Sequence, residues 1–233
     1  MDHRGQMITI IIPTFNRFQF IARSLNYYLA AKCPYRIVIA DSSDDSDYRQ
    51  TQDFLRESLD DLIVEHKRFP KDFSNYQCMA SVLDTVTTPF VAVIGDDDML
   101  IPESLTTGAE FLSSNPDYSG VVGDAITVRT LANAVVGPIV ETGIYATGSR
   151  LEESSILRVR KCIEESNSFD YALMRCEIRK ASVRAAVNGR LYRKFGFFGE
   201  LANVMILAAN GKIHKLERLM LVRQIHLANS TFE

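Results

Sequence analysis

Residues 90–102 read FVAVIGDDDMLIP, an apolar run ending in Gly95, then three consecutive aspartates, then Pro102. A short run rich in β-branched residues and bounded by Gly and Pro reads as a buried strand. Pro102 suits the first turn of a following helix, where its missing N–H costs nothing. Asp96, Asp97 and Asp98 therefore sit at the carboxyl end of a strand. Adjacent carboxylates repel one another unless they are solvated or share a cation. Mg²⁺ or Mn²⁺ fits such a loop, because these ions take oxygen ligands, commonly one or two carboxylates completed by phosphate oxygens and water. The alternative is a solvated turn whose acids complement a helix N-terminus. Ligands of open α/β sheets bind beyond the carboxyl ends of the strands, which favours the cation.

Outward from this stretch the same pattern repeats. Residues 7–12 (MITIII), 35–40 (YRIVIA) and 62–66 (LIVEH) read as strands, and helix-like segments at 18–31, 48–59 and 75–86 separate them. Alternating strand and helix predicts a mostly parallel sheet with right-handed crossovers. The first strand runs into Pro13-Thr14-Phe15-Asn16-Arg17 and the second into Asp41-Ser42-Ser43-Asp44-Asp45, so three polar loops share one rim. After the helix opened by Pro102 and closed at Asn115-Pro116, the rhythm changes. Residues 120–128 and 138–146 read as strands of a mixed or antiparallel extension, 150–166 as a helix and 171–176 as a strand. A helix at 201–209 ends at Asn210-Gly211, and 219–225 is a last strand.

Composition sets the class. The chain has 233 residues, 46% apolar and 24% charged, inside the range of soluble globular domains and outside that of disordered or fibrous chains. Net charge is -3, but residues 1–149 hold 11 Lys+Arg against 20 Asp+Glu, and residues 150–233 hold 15 against 9. An acidic half suits cation binding, and a basic half suits an anionic ligand or surface, unless both are simply solvated faces. No nucleic acid partner is expected. Cys33, Cys78, Cys162 and Cys176 form no CxxC pair and read as reduced packing residues. A polar N-terminus leading directly into a short strand offers no secretion or membrane-spanning segment. The expected location is cytoplasmic, with contact to a membrane surface left open.

The sequences IIIPTFNR, IADSSDD and VIGDDDMLIP together resemble the family 2 glycosyltransferases, whose nucleotide-sugar-binding fold is GT-A. The resemblance covers about the first 115 residues, and it implies a single GT-A domain over 1–233. In that reading 1–118 form the nucleotide-sugar half and 119–233 a smaller acceptor-side half. It implies that Pro13, Thr14, Phe15, Asn16 and Arg17 form a nucleoside loop, that Asp41 meets base or ribose, and that the acidic triplet holds metal and diphosphate. The family's Asp-x-Asp-Asp would place its first Asp at Gly95, so two registers stand. Either Asp97 is the metal ligand with Asp98 behind it, or Asp96 and Asp98 are the pair; Asp97 and Asp98 are favoured as nearest the metal, with Asp96 and Asp97 also toward the nucleotide.

Further on, Phe198-Gly199-Glu200-Leu201 and Gly211-Lys212-Ile213 resemble the family helix that begins with an acidic catalytic pair. Glu200 matches the first acid, and Leu201 stands where the second would be. Glu200 is then the candidate general base, or else an acid that complements a helix dipole. Arg223-Gln224-Ile225-His226 resembles the closing Arg-x-x-His, which implies His226 as a further metal ligand and Arg223 on the diphosphate. The implied activity is metal-dependent, inverting transfer of a sugar from a nucleotide-diphosphate donor, a UDP-sugar by family frequency, to a saccharide or lipid-linked acceptor in envelope polysaccharide synthesis. Two rivals remain. A nucleotidyltransferase would show a Gly-rich basic loop after the first strand, and residues 13–17 contain no Gly. A sugar-nucleotide binder without turnover is kept alive by Leu201.

Overall fold

Strand β1 (Ile8–Thr14) is buried along both faces, as a continuous apolar run should be in a parallel sheet covered on two sides. Alternation divides its side chains. Ile8, Ile10 and Ile12 enter one core cluster with Ile21 and Leu25 of helix α1 (Phe18–Ala30), whereas Ile11 enters a second cluster with Cys78 and Val82 of helix α3 (Asn75–Leu83). Each fully buried isoleucine contributes about 1.5–3 kcal/mol. The computed structural model of the chain describes residues 7–58, 61–145, 147–165, 169, 171–188 and 197–225.

β1 pairs in parallel with β2 (Arg36–Asp41) and β4 (Phe90–Val93), and β2 with β3 (Val64–Arg68). Helix α2 (Asp45–Ser58) connects β2 to β3. Its start three residues before the expected one places Asp45 and Asp47 in the first turn, where they complement the helix dipole. α3 is opened by a capping box in which Ser74 and Gln77 satisfy each other's backbone N–H groups. The two-residue strand β5 (Met99–Leu100) follows the aspartates, and α4 (Pro102–Ser114) begins at the expected proline.

The remaining strands extend the same sheet in the order β3-β2-β1-β4-β8-β6-β9-β5, with β7 paired to β6. They are β6 (Tyr118–Thr130), β7 (Ile139–Tyr145), β8 (Leu173–Arg175) and β9 (Lys212–Gln224), accompanied by α5 (Ser155–Glu164), α6 (Cys176–Asn188) and α7 (Phe197–Asn210). β8 runs antiparallel to β4 and to β6, while β9 runs parallel to β6. The carboxyl end of β9 thereby reaches the rim that carries the ends of β1, β2 and β4.

Several elements differ from the sequence reading. The helix expected over 150–166 is confined to Ser155–Glu164, because Arg150 belongs to the sheet. Its N–H donates to Ile213 O at 2.8 Å and its carbonyl accepts from Ile213 N–H at 2.9 Å. The strand expected over 171–176 ends at Arg175, since Cys176 opens α6. The last strand starts at Lys212 rather than 219, and α7 starts at Phe197 rather than 201. All four cysteines are buried and free.

Arginines finish the core where helix ends would leave carbonyls bare. Arg175 donates to Leu112, Asn115 and Tyr118 carbonyls at the end of α4. Buried Arg158 donates from Nε to Ala208 O at 2.7 Å in the last turns of α7, and from Nη1 to the carbonyls of Glu152 and Glu153 at 2.6 and 3.0 Å. Arg158→Met keeps an apolar stem but orphans these acceptors. It should lower unfolding free energy by about 1–3 kcal/mol in urea titration; an unchanged midpoint would mean that the three contacts are dispensable.

Candidate functional site

Asp96 is only 3% exposed at the end of β4, and a buried carboxylate must be paired or give up its charge. The loop after β1 supplies the partners. Thr14 Oγ1 donates to Asp96 Oδ2 at 2.7 Å, and Arg17 donates from Nη1 to Asp96 Oδ1 at 2.6 Å and from Nη2 to Asp97 Oδ2 at 3.0 Å. Helix α1 adds Ser24, whose hydroxyl donates to Asp96 O at 2.8 Å, and Arg23, whose Nη2 donates to Asp97 O at 2.6 Å. Phe20 lies beneath both guanidinium groups, at 4.0 Å from Arg17 and 5.2 Å from Arg23. Burial raises the Asp96 pKa to about 6; Arg17 and the Thr14 hydrogen bond oppose the rise and neighbouring Asp97 adds to it.

Asp98 faces elsewhere. Its Oδ1 accepts from Gln224 N–H on β9 at 2.9 Å, and among the described residues no donor meets its Oδ2. Burial, with help from Asp97, lifts its pKa to about 7, against the pull of Arg223 and of the Gln224 N–H.

The loop after β2 is clipped to the loop after β1. Asn16 adopts φ 54°, the left-handed region that Asn tolerates better than most residues. Its backbone N–H donates to Ser43 Oγ at 2.7 Å, its Nδ2 to Asp44 Oδ2 at 3.1 Å, and its Oδ1 accepts from Asp44 N–H at 2.8 Å. Asp41 is fully buried. Its Oδ1 accepts from Ser43 N–H at 2.7 Å, and its Oδ2 lies 2.8 Å from His66 Nε2. Burial works to raise the Asp41 pKa, but the His66 and Ser43 hydrogen bonds outweigh it, and the net shift is downward.

Beside these loops opens a cavity of about 220 Å³ whose lining includes Pro13, Gly95, Asp98, Tyr145, Glu200 and Arg223. Arg223 lies over the Tyr145 ring at 5.2 Å. Glu200 enters from the first turn of α7, and half-buried Leu201 follows it. Gly199 allows this approach, because a Cβ there would lie 2.5 Å from Cζ of Tyr76, another lining residue.

Of the residues expected to bind nucleotide, metal or acceptor, Pro13, Asp98, Glu200 and Arg223 thus meet in one cavity. Thr14, Asn16, Arg17, Asp96 and Asp97 hold the loops to one another, Phe15 stands 47% exposed on the rim, and His226 lies outside the described residues. Arg23, His66, Tyr76 and Tyr145 were not singled out in the sequence. His66 ends the expected strand 62–66, so the strand-end rule offered a signal for it; Arg23 and the tyrosines carried none.

Among the described residues no three His, Cys, Asp or Glu side chains gather as a closed metal set. The donor chemistry still fits Mg²⁺ or Mn²⁺ arriving with a diphosphate, since such ions need only one or two carboxylates and take phosphate and water oxygens for the rest.

The fold is that of the GT-A glycosyltransferases. S. aureus TarS superposes with a TM-score of 0.65 at 16% identity over 94% of this chain and 37% of TarS. TarS 1-349 in complex with UDP-GlcNAc gives 0.61 at 15% over 96% of this chain and 60% of that one. The mannosyltransferase PcManGT from Pyrobaculum calidifontis, in complex with GDP-Man and Mn²⁺, gives 0.57 at 13% over 97% and 58%. The chain thus spans between 37% and 60% of the length of these structures. No curated protein sequence matches it. The profile of Glycosyl transferase family 2 matches residues 9–182, three quarters of the chain, and the chain belongs to that family.

The Gly199–Tyr76 contact is open to a double-mutant cycle. Gly199→Ala should cost about 1–3 kcal/mol by overpacking, and almost nothing in a Tyr76→Ala background, as read from chemical denaturation. Strictly additive costs would show that the two residues do not meet.

Proposed function

We propose that the chain catalyses transfer of a sugar from a nucleoside-diphosphate donor, UDP favoured, onto a hydroxyl of a saccharide or lipid-linked acceptor, with inversion and with help from Mn²⁺ or Mg²⁺. The observation that carries this reading is the convergence of a carboxylate, a cation and a candidate base, Asp98, Arg223 and Glu200, in one cavity at the strand ends. The neighbours add support, since one was solved with UDP-GlcNAc and another with GDP-Man and Mn²⁺.

In this reading Asp98 would hold the cation, which would supply positive charge for the departing diphosphate. Arg223 pairs with a phosphate oxygen. The rim of Pro13 and Phe15 carries the nucleoside, and the buried Asp41–His66 pair keeps the second loop in place beside it. Glu200 accepts the acceptor hydroxyl's proton as the oxygen bonds to the anomeric carbon. The bond from that carbon to the phosphate oxygen breaks, and its electron pair leaves with the nucleoside diphosphate. Attack opposite the leaving group inverts the anomeric centre.

Four cations of the basic half, on β8 and α6, are buried or engaged within the chain. Arg175 is turned onto backbone carbonyls, Arg179 is buried, and Lys180 and Arg184 pair with Glu177 and Asp84. No helix among the described residues is long and apolar enough to cross a membrane.

Calorimetric titration with UDP and GDP should show affinity that rises with Mn²⁺ and falls with chelator; equal affinity in both would remove the cation from the reading. Glu200→Gln should bind donor like wild type, while release of UDP from a UDP-sugar in the presence of acceptor falls by roughly 10²–10⁴. Undiminished turnover in that variant would place the base elsewhere. A wild type that turns over no donor, by transfer or by hydrolysis, would instead favour the binding-only reading that Leu201 suggests.

A further inference from the structure

Among the described residues strand β7 pairs with β6 alone, and none of them covers its other edge. Its first six residues are exposed; Ile144 is 90% exposed, and Val136, in the turn before the strand, 76%. Sheets normally blunt such an edge with lysine, proline, short length or a bulge that twists it away. β7 is seven residues long and reads IVETGIY, without lysine or proline. Its one acid, Glu141, is neutralised from within the hairpin by Arg129, and its register shift against β6 lies near its start, beside Val140.

We propose that β7 pairs antiparallel with β7 of a second copy of this chain, about a two-fold axis through Thr142. Self-pairing about a dyad is isologous, so each side chain must suit its mirror position in the same strand. Outward-facing backbone groups alternate along a strand, which allows only registers centred on a residue. Centring on Thr142 pairs the strand from Val140 to Ile144, and the bulge leaves Ile139 out of register. Val140 then faces Ile144, Glu141 faces Gly143, and Thr142 faces itself, and the β-branched and Thr–Thr pairs are favourable cross-strand combinations. Centring on Glu141 sets two carboxylates opposite each other, and centring on Gly143 sets Ile144 against Thr142 and leaves Val140 without a partner.

A lipid surface is the other occupant that an apolar hairpin invites. Residues 130–140 contain no cation to draw it to anionic headgroups. Moreover, an open strand edge in hydrocarbon leaves its N–H and C=O groups unsatisfied. A second β7 satisfies those groups.

The test is solution mass together with register. Wild type at micromolar concentration should sediment at twice the 26.2 kDa chain mass, and Ile144→Lys at once that mass with unchanged circular dichroism. Because the four native cysteines are buried, Thr142→Cys should form a disulfide-linked dimer under mild oxidation, while Asp53→Cys on exposed α2 should not. A monomeric wild type overturns the proposal, as does cross-linking of Thr142→Cys no faster than Asp53→Cys. Flotation of monomeric wild type with neutral phosphatidylcholine vesicles, lost in Ile144→Lys, would give the patch to lipid.

Discussion

The bridge from Arg17 to Asp96 and Asp97 is the interaction on which the strand-end rim depends. A carboxylate as buried as Asp96 cannot keep its charge unless a cation and hydrogen-bond donors come to it. Thr14 comes from the end of β1, Arg17 from the loop after it, and Ser24 from α1. Meeting that demand closes the first loop over the end of β4. Asn16 then ties the same loop to Ser43 and Asp44, so the second loop is fixed too. One buried charge thereby organises three loops from three strands.

Asp98 escapes this arrangement because β9 returns parallel to β6 and presents Gln224 N–H to it. The same strand end carries Arg223, one residue earlier and on the opposite face of the sheet from Gln224. Glu200 approaches from a separate element, the first turn of α7, across the narrow gap that Gly199 leaves beside Tyr76. The cavity thus unites a carboxylate held by the sheet, a cation at a strand end and an acid on a helix.

The parallel half of the fold was legible because β1, β2 and β4 are buried on both faces and so write continuous apolar runs closed by Pro, Asp or Gly. The first half of β9 was not, because Lys212, His214, Lys215, Glu217 and Arg218 break its apolar pattern. Arg150 falls within the helix that the sequence pattern predicts, because nothing local marks its pairing with Ile213 across the fold. At the site, motif spacing identified the loops but not the direction of their side chains. Thr14, Asn16 and Arg17 turn toward neighbouring loops, and Asp41 is enclosed by His66 and Ser43. Which of three adjacent aspartates meets Arg17 and which meets Gln224 is set by residues far apart in sequence, and no local pattern encodes it.

The central claim is that Arg17 occupies Asp97 and leaves Asp98 for the cation. Calorimetric titration of UDP with and without Mn²⁺ into Asp97→Asn and Asp98→Asn tests it directly. The account predicts that Asp98→Asn loses the Mn²⁺-dependent gain in affinity while Asp97→Asn keeps most of it. Loss of that gain in Asp97→Asn with retention in Asp98→Asn would contradict it.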